Sequence, residues 1–423
     1  MRMQMRFLGS ILGFLGIGGV VKDDLYEPPL GFELAEPGTI LQSREVGQLP
    51  GLTNVQGVYQ LLYRTADTFS NPEAAVTTVI VPKNTTNKVI SYQIPEDAVA
   101  DQCAPSRSLR VNVTDPAIQR ILDFGHIVST PDYEGLQNAF TAGIQAGQAT
   151  LDSIRAVLAS QDITGIPSNA KLGIWGYSGG SIASGWAAEL HPTYAPELSV
   201  AGVAVGGYAV DPSAIIRLFN GTINAGLLPA SLVGLSNEYP KVRELLDTQL
   251  KPELVDDFYY VSTHCVDEVT QHYAYQDVFK FFKDGGDILE NEVLKKISND
   301  ITLGQHIPKV PLYIYQGIKD ELVSCKSVDE IVKHYCRAGV SVEYCQNTHG
   351  DHMETEYDGI EFALHWLDTR LNSNHTPTGC SFKKANFSLG YIQNSDTSTA
   401  QESESKISLS ISTLFTTLLS FFL

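Results

Sequence analysis

The feature that most constrains this chain is a Gly-x-Ser-x-Gly pentapeptide, Gly176-Tyr177-Ser178-Gly179-Gly180. Residues 171–175 before it have the composition of a short buried strand, and residues 181–190 after it that of a helix with small residues on one side. A serine on a sharp strand-to-helix turn is held in a strained backbone with its hydroxyl exposed, and flanking glycines let neighbouring segments approach closely. The first N–H groups of the helix then face any developing negative charge. This context predicts that Ser178 is the nucleophile of an acyl-transfer reaction.

Strand and helix patterns alternate on both sides of this motif. Strands are predicted over residues 56–64, 75–81, 88–93, 127–130, 171–175, 200–205, 310–316 and 340–345, and helices over 144–159, 181–190, 328–336 and 354–371. This alternation predicts a mostly parallel sheet with right-handed crossovers, an α/β fold. Residues 23–49, rich in Pro and Gly, are expected to form an irregular arm on the surface.

Residues 212–304 interrupt the alternation. They contain helical patterns, such as 242–250 and 265–282, and no clear strand. Because sheet patterns lie on both sides, we interpret this stretch as a helical cap inserted into a core formed by residues 20–211 and 305–380. The apolar stretch 226–235 would then either hold an acyl chain or form the core of the cap. A separate helical domain is the alternative.

A serine nucleophile needs a base and an acid that orients the base, and in this fold their chain order is Ser, acid, His. Asp320 follows the strand predicted at 310–316 and is the expected acid, with Glu321 as the alternative. His349 and His352 both lie between the last strand and the last helix, and spacing alone does not choose between them.

The oxyanion of the reaction needs two backbone donors. One is the N–H of Gly179, the residue after the nucleophile. The other is expected from residues 94–98, the loop after the third core strand, although no Gly-rich signature is present there.

The same histidine loop also raises the question of a metal site. His349 and His352 lie close to Asp351, Glu354 and Glu356, but the chain has no His-Glu-x-x-His pattern. A loop that enters a helix explains these residues more simply, so we expect no metal and no cofactor. The net charge of −19 argues against nucleic acid or an anionic membrane surface as a partner, and leaves neutral ester or lipid substrates open.

The N-terminus and the modification motifs indicate secretion. Arg2 and Arg6 precede a short apolar run over residues 7–21, which predicts a signal peptide over residues 1–19. Six cysteines fit an oxidising compartment. Asn-x-Ser/Thr acceptor sites for glycosylation are present at Asn84, Asn112, Asn220, Asn374 and Asn386.

The C-terminus changes character after Cys380. Residues 381–406 are expected to form a polar tail, and residues 407–423 are apolar and uncharged. Small residues at 394–396, a polar spacer over 397–406 and the apolar end together predict a glycolipid (GPI) anchor signal. A weak transmembrane tail or a disordered end is the alternative.

Several further motifs resemble the fungal secretory lipase family of the Candida type, over residues 26–380. They are the arm segments 28–33 and 37–41, the strand segments 60–65, 76–82 and 91–93, and residues 131–135 with 139–140. The resemblance implies an α/β-hydrolase fold with a helical cap and triacylglycerol hydrolysis at a lipid–water interface.

The resemblance also implies roles for individual residues. It gives Ser178 as nucleophile, Asp320 as acid and His352 as base, with the oxyanion donors at Asp97 and Gly179. It pairs Cys103 with Cys265 and Cys336 with Cys380, which leaves Cys325 and Cys345 to pair with each other. A carboxylesterase or acyltransferase with the same triad, and an inactive surface protein that keeps the fold, are the alternative functions.

Overall fold

The structure is a computed structural model that describes residues 23–373, 377–389 and 391–393. The predicted signal peptide, the acceptor Asn374 and the predicted anchor signal lie outside the described residues. No helix within the described ranges has the length and apolar character needed to cross a membrane.

One mixed sheet of eleven strands runs through the described part of the chain, in the order β1-β2-β3-β5-β4-β6-β7-β8-β9-β10-β11. The strands are β1 (Ile40–Val46), β2 (Val55–Ala66), β3 (Pro72–Pro82), β4 (Lys88–Gln93), β5 (Ile127–Pro131), β6 (Lys171–Tyr177), β7 (Val200–Gly206), β8 (Leu312–Gly317), β9 (Val342–Asn347), β10 (Cys380–Asn386) and β11 (Tyr391–Gln393). The seven strands from β5 to β10 in this order are parallel, whereas the pairs β1–β2, β2–β3, β3–β5 and β10–β11 are antiparallel.

Helices cover both faces of the sheet and fill the segment between β7 and β8. They are α1 (Pro105–Ser108), α2 (Pro116–Asp123), α3 (Gly143–Ala159), α4 (Gln161–Thr164), α5 (Gly179–Tyr194), α6 (Pro212–Phe219), α7 (Leu227–Glu238), α8 (Pro240–Gln249), α9 (Val255–Phe258), α10 (Val266–Tyr273), α11 (Glu292–Ile301), α12 (Cys325–Arg337) and α13 (His352–Asn372).

Apolar residues that alternate along the strands divide between two cores. On one face, Ile154 of α3, Trp186 of α5 and Tyr335 of α12 pack on the sheet. On the other face, Ile121 of α2 and Leu364 of α13 do so. Because both faces are covered, the central strands are buried over most of their length, as expected for parallel strands.

The helices between β7 and β8 have an apolar core of their own. Three buried rings, Phe258, Phe281 and Phe282, pack against one another with centroids 5.6 Å apart in both pairs that include Phe258. This core includes Phe140 from the sheet-bearing part of the chain. The predicted helix over residues 242–250 corresponds to α8. The one predicted over 265–282 is wrong beyond Tyr273, because Tyr275 has φ 62° and ends the regular helix.

Two segments that the sequence analysis left irregular are strands. Residues 40–46 of the predicted arm form β1, a polar edge strand that pairs with β2. Residues 381–386 and 391–393 of the predicted tail belong to β10 and β11. The disulfide between Cys336 and Cys380 fixes the start of β10 beside β9, which explains why the sheet continues past the predicted end of the core.

The cysteines form the two disulfides that the resemblance implied, Cys103–Cys265 and Cys336–Cys380. The expected third pair is wrong, because Cys325 and Cys345 are free. Cys345 is buried in the core between the sheet and α13, whereas Cys325 begins α12 on the opposite face and donates to the carbonyl oxygen of Gly317. The sheet therefore separates the two thiols.

Candidate active site

The side chains predicted to act together follow four parallel strands of the sheet. Asp97 follows β4, Ser178 follows β6, Asp320 follows β8 and His352 follows β9. The carboxyl ends of parallel strands meet at one edge of a sheet, so these residues are brought together although they are far apart in the chain.

Ser178 occupies a strained turn between β6 and α5. Its backbone has φ 48° and ψ −122°, a conformation that residues with a Cβ adopt only where the surroundings impose it. The N–H of Ser178 donates to the carbonyl oxygen of Gly206 at 3.1 Å, and the hydroxyl of Ser181 donates to the carbonyl oxygen of Ser178 at 2.5 Å. The half-buried Ser178 side chain therefore points away from the sheet edge on a fixed backbone.

The glycines of the motif are needed because other segments pass very close to them. A Cβ on Gly180 would lie 2.0 Å from the carbonyl oxygen of Gln93, and one on Gly176 would lie 2.2 Å from that of Gly180. Either contact is far shorter than van der Waals distance and involves backbone that has little freedom to move. The motif thus reflects close packing of β4, β6 and α5 around Ser178.

A continuous chain of hydrogen bonds joins Ser178, His352 and Asp320. Nε2 of His352 lies 2.8 Å from Oγ of Ser178, and Nδ1 of His352 lies 2.8 Å from Oδ2 of Asp320. The Asp320 carboxylate accepts a hydrogen bond from Nδ1–H, so Nε2 carries no proton and can take that of the serine hydroxyl. The side chains of His352 and Asp320 are 2% and 0% exposed, so water does not compete for these bonds.

Further donors hold the Asp320 carboxylate in place. Oδ1 accepts the backbone N–H groups of Leu322 at 3.0 Å and Val323 at 2.7 Å, and Oδ2 accepts a side-chain N–H of Gln316 at 2.7 Å. With the histidine, four donors converge on one carboxylate. The role of Gln316 was not predicted from the sequence, because it depends on the turn after β8.

His352 is positioned from its backbone as well as from its ring. The carboxylate of Glu321, the alternative acid, accepts the backbone N–H of His352 at 3.1 Å and does not bond the ring. The Tyr177 hydroxyl donates to the carbonyl oxygen of His352 at 2.7 Å. His349 is exposed and its Nδ1 bonds the neighbouring Thr348 hydroxyl, so the structure brings His352 and not His349 to Ser178.

Asp97 and Gly179 face each other at the predicted oxyanion position. Gly179 is the first residue of α5, where backbone N–H groups are free of intrahelical partners. Oδ1 of Asp97 lies 2.0 Å from the place where a Cβ of residue 179 would be, so any larger residue there would displace this carboxyl group. Asp97 itself has φ 49°, the left-handed region that Asp and Asn tolerate better than most residues.

Burial and local charge shift the pKa values of these groups. Burial alone would lower the pKa of His352, but the hydrogen bond and charge of Asp320 outweigh it and raise that pKa above its usual value. Burial raises the pKa of the Asp97 carboxyl to about 6, an effect that the nearby His352 partly opposes. Burial, with a smaller effect of Asp115, raises the pKa of Glu356 to about 7.

Ser178 opens into a mainly apolar cavity of about 70 Å³. Ile182 of α5 and Phe140 line it from the core, and Ile215, Phe219 and Leu227 line it from α6 and α7. In the apolar stretch 226–235, Leu227 and Ser231 line the cavity, whereas Leu228, Ala230, Leu232, Val233 and Leu235 belong to the separate apolar core. One face of α7 therefore lines the cavity and the other belongs to the apolar core, so the core interpretation holds for one face and acyl binding stays a prediction for the other.

The chain is similar to known fungal proteins over most of its length. The family model described as "Secretory lipase" matches residues 102–379. Lipase 5 of Candida albicans is 39% identical over 85% of this chain and 82% of its own length. Lipase A of Arthroderma benhamiae is 36% identical over 85% of this chain and 81% of its own length.

Solved structures give the same result for the fold. The X-ray structure of Candida antarctica lipase A matches with a TM-score of 0.77 at 28% identity, over 86% of this chain and 89% of the other. A rice cell wall degrading esterase from Xanthomonas oryzae matches with a TM-score of 0.67 at 17% identity, over 79% of this chain and 100% of the other. Together with the strand order, these likenesses confirm the predicted α/β-hydrolase fold.

Proposed function

Because the chain belongs to the secretory lipase family, we propose that it is a serine lipase that hydrolyses triacylglycerol ester bonds through an acyl-enzyme at Ser178. One observation supports this most directly: the hydrogen-bond chain from Asp320 through His352 ends at Ser178, which lines a mainly apolar cavity. Such a cavity favours an apolar acyl group beside the nucleophile.

In the first half-reaction, Oγ of Ser178 attacks the ester carbonyl carbon while Nε2 of His352 takes the hydroxyl proton. The carbonyl oxygen becomes an oxyanion, which the backbone N–H groups of Gly179 and Asp97 stabilise. Asp320 fixes the imidazole orientation and stabilises the imidazolium that forms. The intermediate then collapses, its bond to the alcohol oxygen breaks, and His352 returns the proton to the leaving alcohol.

In the second half-reaction, water replaces the alcohol. His352 takes a proton from water as its oxygen attacks the acyl carbon, and the resulting intermediate expels Ser178, which recovers its proton. The products are a fatty acid and the free enzyme, so atoms and charge balance without a cofactor.

We assign the helices between residues 212 and 304 to a cap over the site, and residues 20–211 and 305–380, extended by β10 and β11, to the hydrolase core. α6 and α7 contribute residues to the cavity beside Ser178, as a cap would. Cys265, in the proposed cap, is bonded to Cys103, which follows the loop that carries Asp97. The disulfide thus joins the cap to the oxyanion loop.

The size of the cavity favours a second candidate, a carboxylesterase that acts on short acyl esters. A volume of about 70 Å³ is far below that of ordinary ligand pockets, which are several hundred Å³. A long acyl chain therefore requires α6 or α7 to move away from the core. Initial rates on emulsified triacylglycerols and on dissolved esters of two to eighteen acyl carbons separate the two candidates.

Covalent labelling tests the nucleophile and the base independently of the substrate class. A phosphonate ester should add one phosphonyl group to the peptide that carries Ser178, and Ser178→Ala should abolish the reaction. His352→Ala should slow ester hydrolysis on the order of 10⁴-fold, while the neighbouring His349→Ala should leave it within about threefold. Equal loss in both histidine variants would contradict the assignment, and absence of labelling would support the inactive surface protein.

We further propose that the mature enzyme is secreted and attached to the outer cell surface by a glycolipid at residues 394–396. Phosphatidylinositol-specific phospholipase should release it from membranes, and recovery of a mature chain that ends at Leu423 would refute the anchor. Among the proposed glycosylation sites, Asn84 and Asn112 are exposed. The Asn220 amide instead donates to Asp277 at 3.0 Å, so we expect it to be glycosylated less.

A further inference from the structure

Pro95 interrupts the backbone hydrogen bonding of the oxyanion loop, residues 94–98, just before the proposed donor Asp97. The regular bonding of β4 ends at Gln93, and a proline has no N–H with which to continue it. All residues of the loop are nevertheless buried or half-buried, and buried backbone groups need hydrogen-bond partners. The position of the loop therefore depends on side chains that reach it from other parts of the fold.

The hydroxyl group of Tyr133 bonds the backbone on both sides of Pro95. It donates to the carbonyl oxygen of Ile94 at 2.8 Å and accepts the N–H of Glu96 in a longer bond of 3.4 Å. Both bonds can exist together, because a phenolic hydroxyl is a donor and an acceptor at once. Tyr133 is 3% exposed, so water does not compete for these bonds. Burial raises the pKa of this hydroxyl well above its usual value, which keeps the donated proton in place.

The ring of Tyr133 is held between two helices. It packs with Ala146 of α3 and Ala183 of α5 in a small buried cluster. Ala183 lies four residues after Gly179, about one turn further along the same helix. Because Gly179 is the other proposed oxyanion donor, the tyrosine connects the helix of one donor to the loop of the other.

A second set of bonds fixes the start of the loop. The Ser184 hydroxyl of α5 donates to the side-chain oxygen of Gln93 at 2.7 Å, and the Gln93 amide donates to the Ser91 hydroxyl at 2.8 Å. These bonds hold the end of β4, which lies before Pro95. Of the two sets, only the bonds of Tyr133 reach residues 94–96.

Beyond Asp97, the chain is attached to the proposed cap. Val99 is buried in the apolar core of the helices between β7 and β8. Cys103 is joined to Cys265 by a disulfide. Asp97 therefore lies between the attachment that Tyr133 makes on the core side and two attachments to the segment that is expected to move.

We propose that Tyr133 is a positioning residue that keeps the backbone N–H of Asp97 aligned with that of Gly179 at the oxyanion position. Asp97 and Gly179 both line the cavity beside Ser178, whereas Tyr133 does not. Tyr133 thus acts on the reaction through the loop and does not touch the substrate.

Loss of the Tyr133 hydroxyl would release the backbone on both sides of Pro95. The loop would then follow its attachments to the proposed cap, and the N–H of Asp97 would leave its place beside Gly179. An oxyanion donor acts mainly in the transition state, so kcat should fall while KM changes little. This consequence rests on the proposed function, whereas the two hydrogen bonds of Tyr133 do not.

Tyr133→Phe tests the positioning role, because it removes the hydroxyl and keeps the ring on Ala146 and Ala183. The assay is hydrolysis of a dissolved p-nitrophenyl ester, with kcat expressed per active site titrated by a phosphonate ester. We expect kcat to fall roughly tenfold, less than for outright loss of an oxyanion donor, because the donor is displaced and not removed. KM should stay within about twofold of wild type.

Tyr63→Phe is the matched control. The Tyr63 hydroxyl also donates to a backbone carbonyl oxygen at 2.8 Å, that of Ala149, and Tyr63 is 0% exposed. Its acceptor lies in α3 and not in the oxyanion loop. Both variants should lower Tm by similar amounts, but Tyr63→Phe should keep kcat within about twofold of wild type.

A trifluoromethyl ketone separates an effect at the oxyanion from a general loss of structure. Oγ of Ser178 adds to its carbonyl carbon while His352 takes the hydroxyl proton, so the carbonyl oxygen becomes an oxyanion in the same position as in the reaction. The inhibition constant of this ketone should rise in Tyr133→Phe by about the same factor as kcat/KM falls. It should be unchanged in Tyr63→Phe.

Three results would overturn the proposal. Equal kcat values in the two variants would refute the positioning role and leave the proposed lipase activity of the wild type intact. A lower kcat in Tyr133→Phe with unchanged ketone binding would place the loss outside the oxyanion position. If Tyr133→Phe fails to fold, hydrogen exchange of the wild type decides, because a Glu96 amide that exchanges as fast as those of exposed loops would show that Tyr133 does not hold it.

Discussion

Asp320→Asn should nearly abolish catalysis while the protein stays folded. The four donors at Asp320 come from Leu322, Val323, Gln316 and His352, and an amide can accept on only one of its two sides. If the amide nitrogen faces the two backbone N–H groups, both are left without an acceptor at a cost of about 1–3 kcal/mol each. If it faces His352, no backbone donor loses its acceptor at residue 320, but the buried side chain of Gln316 has to turn.

The second orientation is therefore favoured, and it reverses the histidine. The Asn amide would donate to Nδ1 of His352, so the ring proton would move to Nε2. Nε2 would then donate to Ser178 and could not take its proton. We expect kcat to fall about 10⁴-fold, which is about 5.4 kcal/mol at 1.36 kcal/mol per factor of ten. Turning Gln316 also breaks its bond from the Tyr208 N–H at 3.1 Å, so unfolding should become easier by about 1–3 kcal/mol.

The assay is kcat on a dissolved p-nitrophenyl ester, measured with a thermal melt of each variant. Glu321→Gln is the matched control, because its carboxylate accepts the backbone N–H of His352 and an amide oxygen can do the same. It should retain kcat within about threefold. Because Asp320 raises the pKa of His352, the remaining activity of Asp320→Asn should also survive to lower pH than that of wild type. A folded Asp320→Asn enzyme with more than about a tenth of wild-type kcat would refute this reasoning.

Three further predictions concern the cavity, the buried charge and the cap. Ile215→Trp should reduce kcat/KM about tenfold more on long acyl esters than on short ones, because Ile215 lines the cavity. Leu218 is 66% exposed on the same helix, so Leu218→Trp should not have this effect. Equal losses on all esters would contradict an acyl site. Burial, with the charges of Glu238 and Asp67, raises the pKa of Glu73 to about 8. The folded state is therefore stabilised at low pH and loses that contribution as pH rises from about 4.5 to about 8. Glu73→Gln should raise Tm near pH 8 and leave it unchanged near pH 4.5, and an equal effect at both pH values would refute the argument. Cys103→Ser opens a disulfide between residues 162 apart in sequence and should lower the free energy of unfolding by up to about 5 kcal/mol in a denaturant titration, whereas an unchanged midpoint would show that the bond constrains little.

The sequence predicted the features that depend on local pattern. The strands on either side of the nucleophile, the helix after it and the helical segment between β7 and β8 all follow from apolar periodicity and from the glycines around Ser178. β1 was not predicted because an edge strand half-covered by solvent lacks the continuous apolar run of the central strands. β10 was not predicted because its place depends on a disulfide formed with a cysteine in α12.

Features that depend on the side of the sheet, or on a pair of distant loops, could not be predicted from local pattern. Spacing left His349 and His352 open, and the structure separates them because one is exposed in the loop and the other begins α13. Cys325 and Cys345 were expected to pair because they were the two cysteines left over, a count that carries no information on which face each occupies. The hydrogen bond from Tyr133 to Ile94 joins the loops after β5 and β4, and nothing in either loop alone indicates it.

The loop after β4 contacts the nucleophile turn, the segment after β5 and, through Cys103, the proposed cap. A movement of the cap could therefore change the position of the oxyanion donor. Asp97 faces Gly179, Ile94 is bonded to Tyr133, and Cys103 is bonded to the proposed cap. A cavity of about 70 Å³ can take a long acyl chain only if α6 or α7 moves, and the disulfide from the proposed cap would carry part of such a movement to within six residues of Asp97. A fixed attachment on the core side of the loop is therefore needed if the oxyanion donor is to keep its place while the cap opens. The hydrogen bond from the Tyr133 hydroxyl to the carbonyl oxygen of Ile94, at 2.8 Å, supplies such an attachment. Tyr133→Phe and Cys103→Ser should therefore change the chain-length profile less when combined than the sum of their separate effects, and strict additivity would show that the proposed cap and the loop move independently.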